Sequence, residues 1–327
     1  MRRLLCWWMP LLAVSGFVST APAHAQSFPT KPIRLIVPFA PGGTSEVLAR
    51  MIAHRMGDLL GQTVIVDTRP GAAGSLGAGI TATAQPDGHT LLFTSLSPIV
   101  INMHIPGVKI SYNPEKDFSP ISVITKVPSV FAVQSSFQVK TIQELVAAAK
   151  AAPGKLSYSS SGTGSVNHLI GEMFKATAGI DILHVPYKGA GLGLIGLLSK
   201  EVNMTLAAPP AVLPYIRNNQ LRALAVSSAK RSPPLPEVPT VGESGYPGFD
   251  LTAWYCMMAP AGTPQKVVDT LRGALIKTIS EPPVLDRLLA EGAPPEPNTS
   301  AEFSRLISAD LKTWAKAVKL AGLQGGD

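Results

Sequence analysis

Short β-branched segments alternate with longer helical segments along most of this chain, and this alternation restricts the possible folds more than any other feature of the sequence. IRLIVPF (33–39) and TVIVDTRP (63–70) are short and rich in valine and isoleucine, so they predict strands. Between them, apolar residues recur every three or four positions from Val47 to Leu60, which predicts an amphipathic helix that Gly61 ends. The pattern predicts an α/β fold with helices layered on mostly parallel sheets.

The predicted elements fall into two groups. Strands at 33–39, 63–70 and 89–95 form the first group, and a strand at 129–136 opens the second. Further strands are predicted at 155–161, 181–187, 203–208 and 221–228, and helices at 141–154, 165–179, 191–202, 264–280 and 300–322. Thr141 and Glu144 have the spacing of a capping box at one helix start. We therefore predict two lobes joined by two crossovers, with residues 26–128 plus 227–327 in lobe 1 and 129–226 in lobe 2. The natural site of such a fold is the cleft between the lobes.

The first 25 residues have the composition of a secretory signal peptide. Arg2 and Arg3 precede an apolar run from Leu4 to Val18, and small residues lead to Ala23-His24-Ala25. We expect cleavage after Ala25 and export to a bacterial periplasm. Only Cys256 would remain after cleavage, so a large core rather than disulfide bonds would supply stability.

The net charge is small and dispersed. It is formally +7, and it falls to +5 without Arg2 and Arg3, because 26 of the 28 basic residues then remain against 21 acidic ones. The basic residues are scattered among acids, so no nucleic-acid partner is predicted. A mild positive excess would favour anions, although a solvated surface is the better explanation.

A glycine- and hydroxyl-rich turn follows the first predicted strand. In FAPGGTSEVLAR (39–50), Gly42 and Gly43 allow backbone dihedrals that other residues avoid, and Thr44 or Ser45 is expected to cap the next helix. Free amides at such a helix start form an anion site. The alternative is an ordinary capped helix, in which Glu46 satisfies the helix dipole without any ligand.

The same arrangement recurs in the second group. SYSSSGTGSVNHL (157–169) is again a strand, then glycines and hydroxyls, then a helix. Two such turns, one in each lobe, are expected to face one another across the cleft. A carboxylate held there by about three charge-assisted hydrogen bonds would gain roughly 1.5 to 3 kcal/mol from each, so no cationic side chain is required.

Catalytic and cofactor motifs are weak in comparison. GLGLIG (191–196) has the spacing of a dinucleotide-binding turn, but no acid follows about 20 residues later, so packing glycines are the better interpretation. The histidines show no metal-binding spacing, and no nucleophile elbow occurs. Neither a cofactor nor a metal is predicted. A hydrolase remains an alternative that would use the serines and His168, but no motif supports it.

Several longer motifs resemble the Bug family, the periplasmic receptors of tripartite tricarboxylate transporters. They are PIRLIVPFAPGGTSEVLAR, VDTRPGAAGSLGA, QPDGHTLLFTS, PGKLSYSSSGTGSVNHL, HVPYKGAG and LRALAVSSAKRSPPLPEVPTVGESG. The resemblance covers nearly the whole mature chain in order. It implies a two-lobed class II periplasmic-binding-protein fold, a Venus flytrap, that closes on a small carboxylate and passes it to membrane permease subunits. It implies a binding protein and not an enzyme, and we expect a monomer.

The resemblance also implies a set of ligand-binding residues. They are Phe39, Pro41, Gly42, Gly43, Thr44, Ser45, Thr94, Ser95, Ser97, Ser161, Gly162, Thr163, Gly164, Ser165, His168, Pro186, Tyr187 and Ala207. His168 is alternatively a packed or capping histidine. In the family, backbone amides, hydroxyls and waters grip one carboxylate, while variable side chains bind the other end of the ligand.

Two departures from the family pattern affect the expected ligand. Glu46 stands where the family commonly has aspartate, and Ala207 and Ala208 stand where it commonly has Asp-Asn. The alanines would leave a less polar cleft wall, which argues against amino-acid ligands and leaves monocarboxylates, dicarboxylates and aromatic acids open. A receptor that reports to a sensor kinase, uncoupled from transport, is the alternative function.

Overall fold

The computed structural model describes residues 28–323, so the predicted signal peptide (1–25) lies outside the described residues. Within this range the strands are β1 Ile33–Val37, β2 Val64–Thr68, β3 Thr90–Ser95, β4 Phe118–Pro128, β5 Val130–Gln134, β6 Ser157–Ser160, β7 Leu183–Pro186, β8 Met204–Ala207, β9 Leu221–Val226 and β10 Thr252–Pro260. The α-helices are α1 Thr44–Leu60, α2 Ser75–Ala82, α3 Ile142–Ala151, α4 Val166–Ala178, α5 Ala190–Leu198, α6 Pro209–Arg217, α7 Gln265–Ser280, α8 Pro282–Ala290 and α9 Ser300–Leu320. None of these helices is both long and apolar enough to cross a bilayer.

The strands form two five-stranded sheets, and both are mixed rather than mostly parallel as the sequence predicts. The order is β2-β1-β3-β10-β4 in the first sheet and β7-β6-β8-β5-β9 in the second. β1 runs parallel to β2 and β3, whereas β10 runs antiparallel to β3 and β4. In the second sheet β6 runs parallel to β7 and β8, and β5 runs antiparallel to β8 and β9. The antiparallel strands are the ones that carry the chain between the sheets.

Sequence reasoning missed β4 and β10. β4 contains two prolines, which normally argue against a strand interior, and β10 is a run of aromatic, sulfur and small residues without alternation. Tertiary packing outweighs both signals. Cys256, Met257 and Met258 in β10 are completely buried, because β10 lies between two other strands and is covered by helices.

The two crossovers run side by side. Ser129 connects β4 to β5, and its amide donates to the Ser227 hydroxyl at 2.8 Å, while the Ser227 amide donates to the Ser129 carbonyl at 2.9 Å. The Leu251 amide, just before β10, donates to the Ser227 carbonyl at 2.8 Å. These bonds hold the connecting segments together, so any relative motion of the two sheets must bend both segments at this point.

Helix starts agree with the sequence in one lobe and differ in the other. Thr141 caps α3, since its hydroxyl accepts the Glu144 amide at 3.1 Å, but the Glu144 carboxylate bonds to the Lys140 amide rather than to that of Thr141. Ser165 caps α4 by accepting the His168 amide. The prediction of Thr44 or Ser45 as the cap of α1 is wrong, because the N-cap is Gly43 and no side chain caps it.

Candidate ligand-binding cleft

A cavity of about 480 Å³ lies between the segments that follow strands of the two sheets. From the first sheet's side it is lined by Phe39, Gly71, Ala72, Ala73, Gly74, Gly107, Val108 and Lys109. From the second sheet's side it is lined by Ser161, Gly162, Thr163, Pro186, Tyr187 and Lys188. Of the predicted site residues, the structure therefore brings together Phe39, Ser161, Gly162, Thr163, Pro186 and Tyr187 around one space.

The loop between β6 and α4 exposes its backbone to this cavity. Gly162 and Gly164 have φ angles of 121° and 82°, which side-chain-bearing residues rarely adopt. A Cβ on Gly162 would lie 3.2 Å from the Tyr187 carbonyl oxygen and 3.7 Å from the Cα of Ala73. The loop thus approaches both neighbouring walls closely, which only bare backbone permits.

Two stacked histidines support this loop from beneath. The ring centroids of His168 and His184 lie 3.8 Å apart with an interplanar angle of 17°. The Gly164 amide donates to Nδ1 of His168 at 3.1 Å, and Nε2 of His184 lies 2.7 Å from the Ser160 hydroxyl. His168 is buried and does not line the cavity. Its contact with the site runs through the backbone of the loop.

Burial lowers the pKa of both imidazoles. The pKa of His168 falls to about 4, mainly through desolvation and further through the positive charge of Lys175. The pKa of His184 falls to about 3, again mainly through desolvation, with the neighbouring His168 adding to the shift. Both rings are neutral at neutral pH, and the proton of His168 lies on Nε2 because Nδ1 accepts a hydrogen bond.

A second wall of the cavity was not identified from the sequence. Residues 71–74 all have positive φ, and two of them are not glycine: Ala72 at 46° and Ala73 at 49°. The buried Asn102 holds them there, since its Nδ2 lies 3.3 Å from the Ala72 carbonyl, 3.2 Å from the Ala73 carbonyl and 2.6 Å from the Ser75 hydroxyl. Such backbone persists only where surrounding contacts impose it. The glycines that flank the alanines, Gly71 and Gly74, are the local sequence signal for this wall.

The first glycine-rich turn, residues 39–45, shares the cavity with the loop at 159–165 only through Phe39. The turn also packs against residues 188–191: the Ala40 amide donates to the Lys188 carbonyl at 3.2 Å. A Cβ on Gly191 would lie 2.2 Å from the Pro41 carbonyl oxygen. The packing interpretation of the GLGLIG glycines is therefore confirmed at this position.

The start of α1 is occupied by its own side chain. The Glu46 carboxylate accepts the Gly42 amide at 3.4 Å and pairs with Arg50. Thr44 and Ser45 are buried and do not line the cavity. Of this turn, only Phe39 lines the cavity, and the buried Thr44 hydroxyl has no hydrogen-bond partner.

The remaining predicted residues lie around the cavity without lining it. The Ser97 hydroxyl accepts the Val166 amide at 2.9 Å, a direct bond between the lobes, and Thr94 and Ser95 are buried at the end of β3. Ser165 is engaged as the cap of α4. Ala207 does not line this cavity either: it is completely buried in β8, packed with Val130 and other apolar residues of the second core.

The charge around the cavity has one sign. Lys109 comes from the first lobe's side and Lys188 from the second, and no aspartate or glutamate is among the residues that line this cavity. The ion pairs found between residues 28 and 323 do not involve either lysine. A site with backbone amides, hydroxyls and two lysines attracts anions.

Other chemistry receives no support from the described part of the chain. Burial raises the pKa of the Cys256 thiol well above its usual range, so this cysteine is not a reactive thiolate. Across residues 28–323, no cluster of histidine, cysteine and acidic side chains is arranged to hold a metal ion.

Two α/β lobes, joined by paired crossovers and enclosing a cavity, define the two-lobed fold of the periplasmic binding proteins. The chain is similar to the periplasmic binding protein BugD, at 33% identity and a TM-score of 0.85, over 91% of this chain and 99% of BugD. It is also similar to Rpa4515 of R. palustris, solved with adipate, at 34% identity and a TM-score of 0.87, over 90% of this chain and 98% of that one.

Sequence comparison gives the family. The pattern of the TctC family, the tripartite tricarboxylate transporter family receptor, matches residues 48–323. Protein BugT of Bordetella pertussis is 37% identical over 318 residues, which cover 95% of this chain and 97% of BugT. The chain belongs to the tripartite tricarboxylate transporter receptor family, and the resemblance to the Bug proteins is confirmed. This is a family of binding receptors and not a class of enzymes.

Proposed function

We propose that this protein captures a small carboxylate in the cleft between its lobes and delivers it to a tripartite tricarboxylate-type permease. The observation that carries the proposal is the inter-lobe cavity, which combines the Ser161–Thr163 loop with Lys109 and Lys188 and has no acidic residue in its lining. Rpa4515, which was solved with adipate, has the same fold and supports a carboxylate ligand here.

The proposed contacts are divided between direct and supporting residues. Phe39, the Ser161–Thr163 loop and Tyr187 line the cavity and would touch the ligand. The loop amides and hydroxyls would bind one carboxylate, because hydrogen bonds to a charged group are the strong ones. The other predicted residues would act by placing these groups, as Ser165 does by capping α4.

The proposal also covers the division into lobes, the location of the protein and its partners. Residues 26–128 plus 227–327 would form lobe 1 and residues 129–226 lobe 2, moving about the crossover at Ser129 and Ser227. The protein would act as a monomer in the periplasm after cleavage near Ala25, bind without chemical turnover and meet the permease subunits in the closed, loaded state. Uptake of the bound acid by cells that express the permease with and without this receptor tests the transport step.

Ligand binding is tested by thermal and chemical denaturation of the purified mature protein with adipate, other carboxylates and neutral adipamide. A ligand at 100 times its dissociation constant stabilises the folded state by about 2.7 kcal/mol. We expect stabilisation by at least one carboxylate and none by adipamide, because the amide keeps the shape but lacks the charge. Equal effects of acid and amide would exclude an anion site.

Two glycine variants locate the binding site. Gly162→Ala places a methyl group at a strained backbone position in the cavity, and Gly245→Ala does the same at φ 105° with no atom within 4 Å. Both should lower stability similarly, since both force an unfavourable φ. Only Gly162→Ala should abolish the stabilisation by the carboxylate. Retained binding in Gly162→Ala would place the ligand elsewhere.

A further inference from the structure

Beneath the cavity, three ring side chains and one ion pair form a buried network that touches the ligand loop only at its backbone and at Ser160. His168 stacks on His184, and the His184 ring lies 5.0 Å from the ring of Tyr158. The Tyr158 hydroxyl lies 2.8 Å from the Glu172 carboxylate and 3.2 Å from the His168 carbonyl. None of these residues lines the cavity, and although the Tyr158 ring packs in the apolar core, the polar groups of the network need another explanation.

The bonds from this network end on the residues that shape the loop. His168 Nδ1 accepts the Gly164 amide, and Ser160, which lies against His184 Nε2, also accepts the Gly162 amide at 3.1 Å. Gly162 and Gly164 are the two positions with left-handed backbone, and Gly162 lines the cavity. The two imidazoles thus support the backbone at both glycines, directly at Gly164 and through Ser160 at Gly162.

We propose that His168 and His184 are a positioning pair, which as two neutral stacked rings hold the Ser160–Gly164 loop in its ligand-binding form and release it when either ring takes up a proton. The inference rests on the proposed carboxylate binding. A proton on Nδ1 of His168 turns an acceptor into a donor that faces the Gly164 N–H, so that bond cannot persist. The charge would also lie 3.8 Å from the second imidazole.

The surrounding charges act on the pair from two sides. Lys175 and Glu172 come from α4, which also carries His168, and they pair at 2.9 Å. Tyr158 and Ser160 come from β6 and His184 from β7. Lys175 disfavours protonation of either histidine, whereas Glu172 favours protonation of His184. Glu172 is already bonded to Tyr158 and Lys175. Desolvation is the largest effect on both rings and keeps them neutral.

The test measures adipate affinity by calorimetry at several pH values for wild type, His168→Gln, His168→Ala and His184→Phe. Glutamine offers an oxygen to the Gly164 amide and does not titrate, so it should keep affinity at pH 7. Alanine leaves that amide without a partner, and phenylalanine keeps the stack but loses the Ser160 contact, so each should weaken binding about tenfold. The control is His54→Gln at an exposed histidine, which should change nothing.

The pH profile separates positioning from simple packing. The ratio of the dissociation constants of wild type and His168→Gln cancels the ionisation of adipate itself. If binding lowers the pKa of His168 by one unit from about 4, this ratio stays flat above pH 6 and rises about twofold by pH 4. A constant ratio, or His168→Ala and His184→Phe proteins that bind like wild type, would overturn the inference.

A nuclear magnetic resonance titration of histidine-labelled wild type keeps the test independent of any variant that fails to fold. Adipate should lower the pKa of His168, with Nδ1 unprotonated at pH 6, and an unchanged pKa would argue against the pair. Failure of wild type to bind any carboxylate at pH 7 would instead overturn the proposed function. The two failures are therefore distinguishable.

Discussion

Gly191 lies at a close backbone contact between the lobes, and its replacement gives a quantitative test of the proposed closure. A Cβ on Gly191 would lie 2.2 Å from the Pro41 carbonyl oxygen and 2.9 Å from the Gly42 carbonyl carbon. Ordinary contacts begin at 3.4 Å, so in Gly191→Ala the turn at 39–45 and the start of α5 must separate by about 1.2 Å, the difference between 3.4 and 2.2 Å. The bond from the Ala40 amide to the Lys188 carbonyl, now 3.2 Å, would then be lost.

The cost falls on the closed state and not on either lobe alone. Losing one hydrogen bond costs about 1 kcal/mol, and overpacking adds about 1 kcal/mol or more, for a total near 2 kcal/mol. Where the ligand-free protein is mostly open, this cost appears fully in the affinity, so adipate should bind about 30-fold more weakly. The thermal midpoint without ligand should barely change.

Calorimetric titration with adipate and small-angle X-ray scattering with and without adipate measure these two quantities. Gly273→Ala is the matched control, because Gly273 lies in α7 with no atom within 4 Å of an added Cβ. It should raise stability by up to about 1 kcal/mol through helix propensity and leave affinity unchanged. Wild-type affinity in Gly191→Ala would refute the idea that this backbone contact is part of the closed, ligand-binding state.

Three further results are expected. Unfolded His168 has an ordinary pKa of 6.5 and the folded one about 4, so the unfolded state binds more protons below pH 6.5. The contribution of this group to the free energy of unfolding should therefore fall by about 3 kcal/mol between pH 6.5 and 4 and stay level above pH 6.5. Urea denaturation of wild type and His168→Gln across this range measures the difference. Free energies of unfolding that change with pH in parallel for the two proteins would contradict this expectation. Asn102→Ala removes the side chain that holds Ala72 and Ala73 and should cost about 2 kcal/mol in urea denaturation, whereas a change below about 0.5 kcal/mol would mean that the loop holds itself. Lys109→Met should weaken the binding of adipate about threefold more than the binding of hexanoate at low salt, and this difference should shrink at high salt. Calorimetric titrations measure both affinities. Equal effects on the two acids would show that Lys109 does not reach a second carboxylate.

Much of the secondary structure could be predicted locally. β1, α1, the strands of the second lobe and the helices α3, α4 and α5 follow from hydrophobic period, glycines and caps, as with Thr141 before α3, whereas α6 was not predicted. β4 and β10 could not be predicted, since their prolines, sulfur residues and aromatics become strands only through pairing with each other and with β3. Mixed rather than parallel sheets follow from these same strands.

The candidate site, too, could be predicted from the sequence only in part. The Ser161–Thr163 loop could be found from the sequence, because glycines and hydroxyls after a strand carry a local signal. The partnership of that loop with Ala73, and of the first turn with Gly191, could not, because both are contacts between lobes. That Ala207 packs in the second core could not be predicted for the same reason: its position in β8 is local, but the face it presents is set by packing.

The α/β alternation, the family and the amide- and hydroxyl-rich loop could all be read from the sequence, since each depends on motifs of residues close together along the chain. The segments that enclose the cavity, the meeting of Lys109 and Lys188 there from opposite lobes, and the two neutral histidines beneath it became evident only from the packing of distant segments. The physical reason is that burial and inter-lobe contact depend on how distant segments pack, and desolvation at those contacts sets the charge of the groups within them.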